Sequence, residues 1–219
     1  MSEKVLIRSY IPKDRESVEK IHFETGLIGK SMNSLLTRRD EWKKNISIYL
    51  EKEPKSAFVL EVDHKVVGYL LGCLDDKNLA EVSIYLKTVV TSLLKPKLPK
   101  KDRIFWKGLF KYMIKTGLGK FDDLKLKTPK NAGHMHIDLL KKYRGKGYGS
   151  KLLDVFLKYA KDNNVKTIHA GSFLTKLNPN RSFWLGNGFK EYSRVNSGFW
   201  SYVYPNQDIK LVCYVKRLK

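Results

Sequence analysis

Apolar residues recur along this chain with two different periods, and each change of period marks a new element. Residues 4–9 read as a strand and residues 13–24 as a helix carrying Val18 and Ile21. A second helix is expected over 38–52, with Thr37 as its cap and Trp42, Ile46 and Tyr49 at helical spacing. Residues 56–74 read as a hairpin turning at Asp63-His64-Lys65. Its second half, Val66 to Leu74, is almost continuously apolar, as in a strand covered on both faces. Residues 80–94 then place Val82, Tyr85, Leu86, Val89, Val90 and Leu93 on one helical face. Pro96 and Pro99 break that helix inside a lysine-rich stretch. A second, basic helix over 103–116 carries Phe105, Trp106, Leu109, Phe110 and Met113. An extended run follows, with Met135, Ile137, Leu139 and Leu140, and then a helix burying Leu152, Leu153, Phe156 and Leu157. A further strand over 165–169 is expected to end at Ala170-Gly171-Ser172. With no repeats and no low-complexity linker, residues 1–219 are expected to form one domain. Residues 75–133 are a helical insertion where a hairpin turn needs only a few residues.

The glycine-rich joint between the fourth strand and its helix is the most informative stretch. Tyr143-Arg144-Gly145-Lys146-Gly147-Tyr148-Gly149-Ser150 places three glycines at alternate positions before a helix N-terminus. Glycine permits positive φ, so backbone N–H groups converge on one point. The first helical turn adds unpaired N–H groups and a positive dipole end. Arg144 and Lys146 add charge, so the expected guest is a phosphate or pyrophosphate. A Walker loop, G-x-x-x-x-G-K-[ST], is absent. A dinucleotide fingerprint fails because Ser150 stands where its third glycine belongs, and no carboxylate ends the next strand. The pattern R/Q-x-x-G-x-G/A is filled by Arg144, Gly147 and Gly149.

With this loop, the Gly188-Phe189 pair after Asn178–Trp184, and the order of elements, the chain resembles the GNAT family of acetyl-CoA-dependent N-acetyltransferases. The resemblance implies a mixed, mostly antiparallel α/β (α+β) sheet of about seven strands flanked by helices, with the fourth and fifth strands parallel and splayed. It implies acetyl-CoA as cosubstrate and an amine as acceptor. The cofactor-binding positions implied are Leu139, Leu140, Arg144, Gly145, Lys146, Gly147, Tyr148, Gly149, Ser150, Trp184 and either Asn178 or Asn180. Backbone groups of Leu139 and Leu140 would hold the pantetheine arm and polarise the thioester carbonyl. Two departures stand out. Trp184 replaces a tyrosine often taken as the acid that protonates the leaving thiolate, and Lys141 replaces a common proline.

Acetyl transfer to an amine also needs a base. His134, His136 and Asp138 alternate on the fourth strand and so share one face. An ordinary imidazole titrates near neutrality, which suits His134 or His136 to the task. The competing reading makes them polar residues satisfied beneath the first two helices. H-x-H-x-D on a strand also fits metal ligation, but His22, His64 and His169 form no ligand-like cluster in sequence, and no metal site is expected. For the acid, Tyr192, Tyr143 or Ser182 are candidates, or the thiolate leaves unassisted, or catalysis is weak.

Charge changes the picture of the partners. The net charge is +21, and residues 1–80 carry fourteen basic against thirteen acidic groups. Residues 87–130 carry thirteen basic against three acidic, and residues 131–219 sixteen against five. Such a field draws anions, so polyanion or nucleic-acid contact through the basic insertion is a second expectation beside its use as a lid or a structural appendage. It disfavours cationic acceptors unless Glu16, Glu19, Glu24, Glu41, Glu51 and Glu53 build a local acidic wall. A non-catalytic CoA-binding module is the alternative reading of the whole chain. Cys73 and Cys213 lie in apolar runs and read as free buried thiols in a reducing, cytoplasmic setting. No apolar run reaches membrane-spanning length and the N-terminus has no signal-like stretch.

Overall fold

The computed structural model describes residues 3–40, 42–75, 81–176, 180–200 and 203–218. Its strands are β1 (Val5–Ser9), β2 (Ala57–Val62), β3 (Lys65–Cys73), β4 (Gly133–Leu139), β5 (Thr167–Leu174), β6 (Lys190–Asn196) and β7 (Lys210–Arg217). They form one sheet in the order β1-β2-β3-β4-β5-β7-β6. Among the described residues only β4 and β5 run parallel. The helices are α1 (Arg15–Thr25), α2 (Lys44–Lys52), α3 (Glu81–Leu93), α4 (Lys100–Gly117), α5 (Tyr148–Asp162) and α6 (Arg181–Gly186).

Alternation along the central strands sends successive side chains to opposite faces. Phe58, Leu60, Leu70, Met135 and Leu139 pack against Leu152, Leu153, Phe156 and Leu157 of α5. Val59, Tyr69, Leu71 and Cys73 pack on the other face with Val18 and Ile21 of α1 and Ile46 and Tyr49 of α2. The approach of α5 is close. A Cβ on Gly72 would lie 2.1 Å from Phe156 Cε2, so only glycine fits beneath that ring. The hairpin turns through Asp63 and His64, both at positive φ, as a tight two-residue connection requires.

A third core lies beyond the sheet. Phe23 and Leu27 at the end of α1, Trp42, Phe105, Trp106 and Leu109 of α4, and Trp200 bury one another. The segment between β3 and β4 is therefore built into the body of the protein. Asp102, fully buried, accepts hydrogen bonds from the backbone N–H groups of Thr37 (2.8 Å) and Arg38 (3.0 Å). This corrects the expected second helix. It starts at Lys44, not near 38, so Thr37 lies too far upstream to cap it, and Lys43 stands at the N-cap with no side-chain cap bond. Trp42 kept helical spacing in sequence because it is buried in the aromatic cluster. The last parallel strand is also longer than expected. It runs through Ala170, Gly171 and Ser172 to Leu174, because β7 supplies a ladder along its whole length.

Replacing Asp102 with alanine leaves two buried N–H groups without acceptors. The expected cost is roughly 2–4 kcal/mol of stability, read as a lower urea midpoint at unchanged slope.

Candidate active site

β4 and β5 pair only at Gly133↔Ile168 and His134↔His169 and then diverge. On its other edge β4 stays paired with β3 along six positions, to Gly68↔Leu139. Leu140 N–H donates to the Val67 carbonyl at 2.9 Å, so its backbone is committed to the β3 side. Antiparallel alternation gives Asp138 and His136 the same edge, and turns the N–H and C=O of Ile137 and Leu139 toward the gap. The Leu139 carbonyl accepts from Arg144 Nε at 2.7 Å. The same guanidinium donates through Nη1 to the Gly29 carbonyl at 3.0 Å, tying the glycine loop to the chain after α1.

The loop closes the gap at one end. Gly145 and Gly147 adopt φ of 74° and 77°, and a Cβ at either would meet nothing within 4 Å. Their requirement is conformational, and the space beside them is open. Gly149 differs from that expectation. It sits inside α5, and a Cβ there would lie 3.1 Å from Phe183, so its smallness lets α6 approach. α5 starts at Tyr148 with no side-chain cap. The N–H groups of Tyr148, Gly149 and Ser150 therefore lack intrahelical acceptors and face outward with the positive dipole end. Glu3 sits on this rim, 3.0 Å from the Tyr148 hydroxyl and 3.3 Å from Lys146. Those two groups hold its carboxyl below the ordinary range. The loop fits a pyrophosphate by open backbone donors, helix polarity and neighbouring cations.

On the opposite side of β4 a partly buried polar cluster lies beneath α1 and α2. Its centre is the Tyr69 hydroxyl, which donates to Asp138 Oδ2 at 3.0 Å. It lies 3.2 Å from His136 Nδ1 and 3.1 Å from His22 Nδ1. His136 stacks on the Tyr69 ring at 5.8 Å and meets the His22 edge at 5.5 Å. His134 separates from this group. Its Nδ1 bonds the Tyr49 hydroxyl at 2.8 Å and its ring lies 4.8 Å from His169. Part of its surface is accessible, yet surrounding packing desolvates the imidazole and, with the His169 and His136 charges, lowers its pKa to about 3. Burial likewise holds His22 well below its ordinary value. The shared strand face was legible from alternation; the arrival of His22 and Tyr69 was not, since nothing local marks either residue.

His22 corrects the expectation that no other histidine clusters here. Ligating atoms of His22, His136 and Asp138 lie within 4.8 Å of one another. A tetrahedral zinc holds its ligands about 3.4 Å apart. The Tyr69 hydroxyl already bridges all three, which accounts for the cluster as a hydrogen-bonded network.

The other predicted residues are scattered. Tyr192 lies on β6, the edge strand, two strands from β5, and is more than half exposed. The structure does not bring it to the gap. Trp184 is buried against Tyr214, Phe183 and Phe189, its Nε1 without a hydrogen-bond partner among the described residues. Asn180 precedes α6 and donates through Nδ2 to Ser172 Oγ at 2.5 Å. Asn178 lies outside the described residues. Both thiols are buried, and burial pushes that of Cys213 up to about 11, far from a nucleophile's range. Three of the six glutamates of the supposed acidic wall are paired with cations. Glu19 pairs with Arg15 and Lys43, Glu51 with Arg15, and Glu24 with Arg39, while Glu41 lies outside the described residues. Phe105 and Trp106 are buried, so they are closed to base stacking. No helix among the described residues is long and apolar enough to cross a membrane.

Residues 116–189 match the model of the acetyltransferase (GNAT) family. The whole fold is similar to solved structures. SsHAT is 24% identical, with 97% of this chain and 98% of that one covered, at a TM-score of 0.65. The ribosomal-protein-alanine N-acetyltransferase of Brucella melitensis is 17% identical over 97% and 99%, at 0.54. yncA of Salmonella typhimurium, solved with its cofactor acetyl-CoA, is 14% identical over 98% and 94%, at 0.56. No curated protein sequence matches the chain significantly.

The depressed histidines make acid a destabilising agent. His22 and His134 stay neutral when folded, whereas unfolded histidine takes a proton below about pH 6.5. Unfolding therefore binds protons, and stability falls as pH drops from about 6.5 toward 3. Urea titrations across pH 7 to 5 should show this fall. His134→Gln should reduce the proton uptake on unfolding near pH 5 by about one, and an unchanged pH slope would contradict the assignment.

Proposed function

Because the chain belongs to the GNAT acetyltransferase family, and so to the acyltransferases, we propose that it transfers acetyl from acetyl-CoA to a primary amine by direct attack in a ternary complex. The observation that carries this reading is the β4–β5 gap. It ends on an open backbone cradle, and its strand presents His136 and Asp138 on the adjoining face.

Acetyl-CoA supplies a thioester and a pyrophosphate. The N–H groups from Gly145 to Ser150, with Lys146, receive the pyrophosphate. Ile137 and the N–H of Leu139 face the pantetheine arm, which lies beside β4 like an added strand, while Arg144 holds the Leu139 carbonyl. Leu139 N–H draws negative charge onto the thioester oxygen. Leu140 takes no part through its N–H, which Val67 holds. Asn180 steadies the end of β5 through Ser172.

His136 takes the proton of the acceptor ammonium. The freed amine forms the C–N bond, the C–S bond breaks with its electron pair departing on sulfur, and the second proton on the attacking nitrogen passes to that sulfur, giving the amide and the CoA thiol. His134 is the poorer base, because a pKa of about 3 leaves little affinity for that proton. Trp184 has no proton to give near neutral pH, and Tyr192 is remote, which leaves Tyr143, Ser182 or unassisted departure of the thiolate. The paired glutamates and the basic surface favour an acceptor that carries negative charge beside its amine.

Calorimetric titration with acetyl-CoA, beside NAD and ATP, tests the cofactor. Saturable micromolar binding of acetyl-CoA alone is expected, and equal, salt-sensitive binding of all three would sink the reading. Gly147→Asp should remove that binding while the circular dichroism stays native, since it places a side chain and a negative charge in the cradle. With an accepted amine, His136→Gln should lower kcat by roughly 10²-fold or more at unchanged KM for acetyl-CoA.

A further inference from the structure

We infer that Tyr69 is a positioning residue for His136, fixing its ring proton on Nδ1 and leaving Nε2 bare to act as the base. The inference deepens the acetyl-transfer reading and rests on it for the role of the imidazole, though not for the proton assignment itself.

The assignment follows from counting protons. The Tyr69 hydroxyl has one hydrogen and two lone pairs, and it faces three partners at 3.0–3.2 Å. An ionised carboxylate only accepts. The phenol hydrogen therefore goes to Asp138 Oδ2, which is directly across the β3–β4 ladder from Tyr69. Both lone pairs then remain for the two imidazoles, and each must donate from Nδ1. His22 and His136 are thus held as the same tautomer.

His22 agrees with this count. It is buried and neutral, it stacks on Trp42 at 5.6 Å, and its Nε2 has no hydrogen-bond partner among the described residues. An N–H at that buried position would be an orphaned donor, which is costlier than a bare lone pair beside apolar rings. His136 differs in its surroundings. Its side chain is 38% exposed, so a ring engaged inward through Nδ1 turns Nε2 away from the buried hydroxyl. Stacking on Tyr69 and the edge contact with His22 fix the ring plane. When Nε2 takes a proton, the Nδ1–H bond to Tyr69 is unbroken. The phenol stays turned to Asp138, whose Oδ2 lies 3.7 Å from Nδ1 and balances the new charge. No proton crosses the phenol.

Long-range 1H–15N correlation spectra of labelled protein read this directly, because the chain has only five histidines and His136→Gln identifies the signal. Neutral His136 should show a protonated Nδ1 and a bare Nε2. Tyr69→Phe should move it toward the Nε2–H form and lower kcat by about 10–100-fold, with KM for acetyl-CoA within about twofold. Asp138→Asn provides a second route, since a carboxamide can donate and lets the phenol turn to His136; the same tautomer change is expected. An Nε2–H tautomer in the native protein would overturn the inference, as would either folded variant that leaves the tautomer unchanged. If no amine is acetylated, the spectra still decide the proton's place, so failure of the reaction and failure of the assignment remain distinct.

Discussion

Everything in the site depends on β4 and β5 parting after two paired residues. A parallel ladder that continued would have spent the backbone of Ile137 and Leu139 on β5. Divergence leaves that edge facing an open gap, where water or a ligand supplies the missing bonds. The cost is local, since β3 holds the other edge of β4 and β7 holds the other edge of β5. The sheet stays continuous while one seam is open. Arg144 then crosses the mouth of the seam, joining the Leu139 carbonyl to Gly29 beyond α1.

The segment between β3 and β4 gives the other face of β4 its depth. A chain of rings leads from His136 through His22 and Trp42 to Phe105 of α4 and to Trp200. It desolvates His22 and sets a floor beneath the cluster. Its lysines stay outside, and Asp102 is turned inward to serve backbone N–H groups. The strong positive charge of this region is therefore a property of its surface, laid over a core that is mostly aromatic.

Much of this was legible in the residues. The first five strands and the glycine cradle follow from period and from the Arg144 loop, whereas the count of about seven strands and the parallel pair came from the resemblance to the GNAT family. The face shared by His134, His136 and Asp138 follows from alternation alone. What sequence reading missed was carried by long-range contacts. Tyr69 looked like one more apolar residue in a buried strand, and its hydroxyl acquires meaning only opposite Asp138. His22 looked like a helix residue until α1 was laid across β3. Thr37 imitated a cap by residue type, but the segment around it is held by Asp102, which takes the N–H groups of Thr37 and Arg38 from beyond the reach of any local pattern. Tyr192 was attractive by type, and topology placed it on the wrong edge of the sheet.

The cluster around Tyr69 draws on residues 22, 69, 136 and 138, so it has no local precursor in the unfolded chain. It comes into being only when the β3–β4 register locks. A slip of one residue in β4 would carry His134, His136 and Asp138 to the α5 side and bring Met135, Ile137 and Leu139 beneath α1. The apolar residues between the polar ones forbid that slip, because they belong against Phe156 and Leu152. Fidelity of the chemistry is thus enforced during folding by side chains that never meet it.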